Sequence, residues 1–185
     1  MDDKLLFFSA FVKHPKEIGS VIPSSKFLIK EVLKNIDFEN ARYIVEYGPG
    51  TGCITSEILK RARKDAKILC FETNKKFCTY LKNKIKDGRF IIINDSAENI
   101  KKHIKKFGIQ NIDYVISGLP FSALPSSKKN AIIKETKSTL KYKGKFVIYQ
   151  FLNNFKKHLY RYFSSISTKF VPLNIPPCFV YTCEK

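Results

Sequence analysis

The sequence predicts an α/β fold: a doubly wound, mostly parallel seven-stranded sheet with an antiparallel last strand. Between residues 43 and 150, short apolar runs rich in β-branched residues alternate with helical patterns. This alternation indicates parallel strands that are buried on both faces and joined by right-handed crossover helices. After residue 150, two strand patterns are joined by a short link, which predicts an antiparallel pair at the end of the sheet.

The strands and helices can be placed in order along the chain. A helix through residues 27–33 precedes the first strand, and Pro23 suits its first position. The first strand covers residues 43–45, and a glycine-rich turn connects it to the next helix. The other predicted strands cover residues 67–71, 90–93, 113–116, 145–150, 168–173 and 179–183, and the other helices fall near residues 77–85, 97–106, 127–140 and 152–163.

The length of 185 residues suits one α/β domain with a full core. We therefore expect a single domain over residues 1–185. Apolar residues in residues 4–13 recur at helical spacing, which predicts an N-terminal helix within a lid or membrane-contact segment, residues 1–25. The apolar face of that helix packs in the core or lies at a membrane interface.

The charge of the chain points to a polyanionic partner. Lys and Arg number 34 against 16 Asp and Glu, a formal net charge of +18. Nucleic acid and an anionic membrane surface both fit this excess, and a lysine-rich genome is the alternative.

The five cysteines form no ligand cluster, so no metal site is expected. With no signal peptide and no apolar run of about 20 residues, we expect a cytoplasmic protein, soluble or peripheral on the membrane.

The glycine-rich turn is the clearest functional signal. Glu46 precedes Gly48, and Gly50, Thr51 and Gly52 follow in the pattern E-x-G-P-G-T-G. Glycines there let a ligand approach the backbone, and the N–H groups of the following helix point at that ligand. Dinucleotide enzymes use a similar turn. The acid, which can receive an ammonium group, makes the pattern resemble the first motif of class I methyltransferases, whose cofactor is S-adenosyl-L-methionine (SAM).

Polar residues follow the next three strands at the same edge of the sheet. Glu72 lies 20 residues after Gly52, a spacing at which a carboxylate binds ribose hydroxyls. Asp95, with Ser96 and Ala97, ends the third strand, where an acid can accept from an adenine amino group. A helix cap is the alternative for Asp95. The segment from Ser117 to Phe121 ends the fourth strand, where the reactive methyl group is expected.

These segments resemble two methyltransferase families. The glycine turn, Asp95-Ser96-Ala97 and the segment from Ser117 to Phe121 are similar to those of rRNA adenine dimethylases. The whole chain looks still more like bacterial phospholipid N-methyltransferases, which carry Ser-Gly-Leu-Pro after the fourth strand. That family also shows Phe-x-x-x-Pro, Gly-Ser-x-x-Pro-Ser-Ser and Asn-x-Pro-Pro motifs, matched here by residues 11–15, 19–25 and 174–177.

The second resemblance implies methyl transfer from SAM to the amino head group of phosphatidylethanolamine, with phosphatidylcholine as a further product. It implies a phospholipid substrate, and an N-terminal helix that touches the inner face of the membrane. Serines of the N-terminal motif join the predicted cofactor contacts, together with the first residue of the Ser-Gly-Leu-Pro segment. The cofactor residues added in this way are Ser20, Ser24, Ser25 and Ser117.

The predicted chemistry needs alignment of an amine more than reactive side chains. The carbonyls of Gly118 and Leu119 are candidates to hold the amine, while Pro120 and Phe121 wall the pocket and offer an aromatic face to a methylated ammonium. His14 is a candidate proton acceptor. Two alternatives remain open: an RNA adenine N6-methyltransferase, although Ser117 replaces the expected asparagine, and a SAM-binding or membrane-coating protein without catalysis. The oligomeric state is not predicted.

Overall fold

The structure is a computed structural model that describes residues 24–151 and 155–185. The predicted helix over residues 4–13 lies outside the described residues, as do His14, Ser20 and Pro23.

The sheet has seven strands in the order β3-β2-β1-β4-β5-β7-β6. Strands β1 to β5 are parallel to one another, whereas β7 is antiparallel to both β5 and β6. The predicted fold class is therefore confirmed, including the antiparallel last strand. The strands are β1 (Tyr43–Tyr47), β2 (Lys67–Phe71), β3 (Phe90–Ile93), β4 (Ile112–Ser117), β5 (Leu140–Gln150), β6 (Ser165–Val171) and β7 (Cys178–Glu184).

Six α-helices lie among the described residues, and none of those six is long and apolar enough to cross a membrane. They are α1 (Lys26–Leu33), α2 (Cys53–Arg61), α3 (Lys75–Lys84), α4 (Ile100–Lys106), α5 (Ser126–Thr139) and α6 (Lys156–Leu159); short 3-10 turns cover Ala97–Asn99 and Phe121–Ala123.

Several element boundaries differ from the prediction. Helix α1 begins at Lys26 because the Ser25 hydroxyl accepts from the N–H of Leu28 and caps it. Strand β5 begins at residue 140 rather than 145, after an irregularity in its pairing with β4. In the described part of the helix predicted over residues 152–163, only Lys156–Leu159 is α-helical.

Two apolar clusters fill the two faces of the sheet. Because side chains alternate along a strand, Ile44 of β1 packs with helices α1 and α2, while its neighbour Val45 packs with α4, α5 and α6. Both residues are fully buried. The helices thus cover both faces, so ligands are expected at the carboxyl ends of the parallel strands.

Candidate active site

A cavity of about 650 Å³ lies at the carboxyl ends of the parallel strands, within the roughly 300–1,000 Å³ usual for small-molecule sites. Most of the sequence-predicted site residues that the structure describes line it. Those that line the cavity are Ser24, Gly48, Gly50, Thr51, Glu72, Asp95, Ser96, Ala97, Gly118, Leu119 and Pro120. Those that do not are Ser25, Glu46, Gly52, Ser117 and Phe121.

The glycine-rich turn opens the cavity between β1 and α2. Gly48, Gly50 and Gly52 have φ angles of 66°, 55° and 80°, a left-handed conformation that glycine adopts without strain. Only the first two line the cavity. A Cβ on Gly52 would lie 2.7 Å from the Leu81 side chain, so Gly52 serves the packing of α2 against α3 rather than ligand contact.

Glu46 lies beneath the turn and not at the cavity surface. It is 1% exposed, and its Oε2 accepts from the Thr55 hydroxyl at 2.6 Å and from the Cys70 thiol at 3.7 Å. Burial raises the pKa of its carboxyl to about 7, although the hydrogen bonds from Thr55 and Cys70 oppose this shift. The expectation that Glu46 receives an ammonium group directly is therefore not met.

Glu72 follows β2 and presents a carboxylate to the cavity. Its Oε1 accepts from the N–H of Asn74 at 2.8 Å. Burial raises the pKa of this carboxyl, while backbone N–H groups of Asn74, Thr73 and Gly50 hold it down. The hydrogen bond from the Gly50 N–H joins the Glu72 carboxylate to the glycine turn. The two predicted cofactor contacts, the turn and Glu72, therefore lie at one wall of the cavity.

Asp95 follows β3 and is held by three donors. Its Oδ1 accepts from the N–H of Ser96 at 2.7 Å and from the Asn99 side chain at 2.8 Å. Its Oδ2 lies 2.7 Å from His103 Nε2. These bonds, that of His103 foremost, lower the pKa of Asp95 to about 2. The helix cap at this point is Ser96, whose hydroxyl accepts from the N–H of Glu98. Sequence reasoning missed His103.

The segment after β4 differs most from expectation. Ser117 is fully buried and its hydroxyl accepts from the N–H of Leu119 at 3.3 Å. Phe121 is also fully buried, stacked on Phe155 with centroids 4.8 Å apart, and does not wall the cavity. The Leu119 carbonyl accepts from Gln150 Nε2 at 2.7 Å and from the Phe121 N–H at 2.8 Å. That carbonyl is therefore satisfied within the protein.

Tyr149 is a cavity residue that the sequence did not single out. A Cβ on Gly118 would overlap the Tyr149 hydroxyl, so the absence of a side chain at Gly118 lets the phenol reach the cavity wall. Burial raises the pKa of this phenol well above its usual value, against a hydrogen bond from Ser24. Tyr149 and Gln150 lie at the carboxyl end of β5. The expectation that ligands bind at the carboxyl ends of parallel strands, which indicated Glu72 and Asp95, could therefore have indicated these two residues as well.

Asn174 lines the cavity from the loop between β6 and β7. Its Oδ1 accepts from the N–H of Ser25 at 2.9 Å, and its Nδ2 donates to the Pro176 carbonyl at 2.7 Å. The loop between β6 and β7 is thereby tied to the start of α1, and both segments line the cavity through Asn174 and Ser24.

Comparison with protein families identifies the chemistry of this cavity. Residues 13–148 match the family model described as ribosomal RNA adenine dimethylase. The chain belongs to that family. It is a SAM-dependent N-methyltransferase, and SAM is its methyl donor. The predicted resemblance is thus confirmed, and the non-catalytic alternative is wrong.

Two curated relatives differ in the share of this chain to which they are similar. An ornithine lipid N-methyltransferase of Singulisphaera acidiphila is 31% identical over 186 residues, which is 100% of this chain and 97% of the relative. Ribosomal RNA small subunit methyltransferase A of Mycoplasmopsis synoviae is 31% identical over 106 residues, 57% of this chain and 38% of the relative.

Solved structures confirm the class I methyltransferase fold. The 1,6-didemethyltoxoflavin-N1-methyltransferase of Burkholderia thailandensis, with bound S-adenosylhomocysteine, has a TM-score of 0.69 and 12% identity over 98% of this chain and 86% of that chain. The N-methyltransferase NodS of Bradyrhizobium japonicum has a TM-score of 0.68 and 8% identity over 87% of this chain and 88% of that one.

Proposed function

We propose that this enzyme transfers methyl groups from SAM to the primary amine of a membrane-lipid head group, phosphatidylethanolamine or an ornithine lipid. The observation that carries the proposal is the full-length similarity to an ornithine lipid N-methyltransferase. The similarity to the Mycoplasmopsis rRNA methyltransferase covers only 57% of the chain, and the chain spans well under half of that relative.

The residues around the cavity suit SAM. We assign the glycine turn at Gly48 and Gly50 to close backbone contact with the cofactor, and Glu72 to the ribose hydroxyls as a carboxylate acceptor. Asp95, with its carboxylate oriented by His103, is assigned to the adenine amino group. The side chains of Glu46 and Ser117, both buried, act in this scheme by supporting the turn and the segment after β4.

SAM supplies an electrophilic methyl group when it is bound, so the protein needs to align and desolvate a neutral amine. In our proposal the amine lies between Gly118, Pro120 and Tyr149. The Tyr149 hydroxyl keeps its proton at neutral pH, because the usual pKa of a phenol lies well above 7 and burial raises it further. In our proposal it therefore orients the amine rather than serving as the base. His14 remains the predicted proton acceptor.

RNA adenine N6-methylation is the second candidate. The description of the matching family and the net charge of +18 favour it. Against it, Ser117 stands where the RNA-modifying relatives are expected to have an asparagine, so the segment from Ser117 to Phe121 has no side-chain amide carbonyl to accept from an adenine amino group. The Ser117 hydroxyl is itself buried and accepts from the N–H of Leu119.

One labelling experiment separates the two candidates. The protein is incubated with methyl-labelled SAM and, in separate reactions, vesicles containing phosphatidylethanolamine, vesicles containing an ornithine lipid, and ribosomal RNA. We expect label in the organic phase of one or both lipid reactions, and which reaction is labelled identifies the head group. Label in RNA alone would overturn the proposal.

A further inference from the structure

The loop between β6 and β7, residues 172–177, carries two exposed aliphatic side chains at the edge of the cavity. Leu173 is 61% exposed and Ile175 is 71% exposed, while Asn174 between them lines the cavity. The bond from the Ser25 N–H to Asn174 holds the first turn of α1 beside this loop, and there Phe27 is 44% exposed. Single exposed apolar residues are ordinary, but these three adjoin the two segments that close one cavity.

Lysines accompany these apolar side chains. Lys26 and Lys30 are exposed on α1, and Lys169 is exposed on β6 two residues before that strand ends. Lys26 Nζ lies 5.3 Å from the centre of the Phe27 ring. The acid on α1, Glu31, is paired with Lys34 at 2.6 Å. Exposed lysines thus occur on the same two elements, α1 and β6, that carry or precede the exposed apolar side chains, and this combination is typical of segments that bind anionic lipid.

We propose that this cavity rim, defined as Phe27, Leu173 and Ile175 with Lys26, Lys30 and Lys169, docks on a membrane that contains anionic lipid. The inference rests on the proposed lipid substrate and extends it, because it says how the head group reaches the cavity. Inserted side chains place the cavity edge at the level of the head groups, so the amine enters while the acyl chains stay in the bilayer. Single-stranded RNA binds by stacking on aromatic rings. Phe27 is the one aromatic ring among the three apolar rim side chains, whereas the two more exposed ones, Leu173 and Ile175, are aliphatic and suit contact with acyl chains.

Vesicle sedimentation of the full chain tests the rim. The double variant Leu173→Ser/Ile175→Ser is compared with Tyr142→Ser, because Tyr142 is 80% exposed and lies near the opposite end of β5. With vesicles of phosphatidylethanolamine and phosphatidylglycerol, we expect the partition coefficient of the double variant to fall at least tenfold. That of the Tyr142→Ser variant should stay within about twofold of the wild type.

Two further measurements separate this inference from the proposed function. On a short-chain, water-soluble phosphatidylethanolamine the double variant should turn over like the wild type, and its affinity for SAM should be unchanged. If lipid is methylated but the double variant binds vesicles normally, the proposed function stands and the proposal that the rim docks on the membrane is overturned. If the double variant instead loses thermal stability, another part of the chain covers the rim, which also overturns it. Methylation of RNA alone, without vesicle binding, overturns both proposals.

Discussion

The side-chain amide of Gln150 donates to the Leu119 carbonyl at 2.7 Å, joining the end of β5 to the segment after β4. Gln150 is 7% exposed, and its amide also donates to the Tyr149 carbonyl at 2.6 Å. The bond fixes the segment in which the proposed amine contacts, Gly118 and Pro120, are found. In the proposed function, Gln150 is therefore a positioning residue for the methyl acceptor.

Replacing Gln150 with leucine should lower turnover while SAM binding is retained. The variant removes the donor to Leu119 and lets the segment shift, and a displacement of about 1 Å in a reacting group costs up to about 100-fold in rate. We expect at least a tenfold fall in kcat, with the Kd for SAM by calorimetry within about threefold. Gln110→Leu, at an exposed position, is the matched control. A normal kcat in the Gln150→Leu variant would show that the bond does not position the acceptor.

A methyl group at Gly118 should conflict with Tyr149. The added Cβ would overlap the phenol oxygen, and overpacking of this kind costs about 1–3 kcal/mol. We expect Gly118→Ala to lower the free energy of unfolding by about that amount, and to cost much less in a Tyr149→Ala background, as measured by urea denaturation in a double-mutant cycle. Equal costs in the two backgrounds would mean that the phenol moves away freely.

Glu46 should make the protein less stable as the pH rises. Its pKa is 4.5 when exposed and about 7 in the folded protein, so between these values the folded state retains a proton that the unfolded chain has lost. Stability then falls with increasing pH and levels off above pH 7, a loss of roughly 3 kcal/mol. Glu46→Gln cannot ionise and should lack this decline.

Urea denaturation without SAM at about pH 5 and about pH 8 checks this expectation. The difference in unfolding free energy between Glu46→Gln and wild type should favour the variant by a few kcal/mol more at the higher pH. Glu57→Gln is the control, because Glu57 is partly exposed and its pKa is lowered by Lys60 and Arg61. Parallel pH profiles for wild type and Glu46→Gln would contradict the raised pKa.

The sequence predicted the place of the cavity correctly, because the residues that end each strand can be recognised from local patterns. The ends of parallel strands meet at one edge of a sheet, which brought Glu72 and Asp95 to the same cavity. It misplaced Glu46 because that residue lies inside β1, in register with Cys70 of β2, and alternation turns its side chain to the face covered by α2. The contact between Gln150 and Leu119 depends on the pairing of β4 with β5, which no local pattern reports.

Glu72 offers the most direct test of the cofactor assignment. A carboxylate that binds ribose hydroxyls forms charge-assisted hydrogen bonds worth roughly 1.5–3 kcal/mol each, so Glu72→Ala should weaken SAM at least tenfold by calorimetry. Glu57→Ala, on the outer surface of α2, should leave the affinity within about twofold. Glu72 also accepts from the N–H of Asn74, the capping residue of α3, so the variant should lose some stability in any case. If only stability falls and SAM affinity is unchanged, Glu72 supports the start of α3 and the ribose contact lies elsewhere in the cavity.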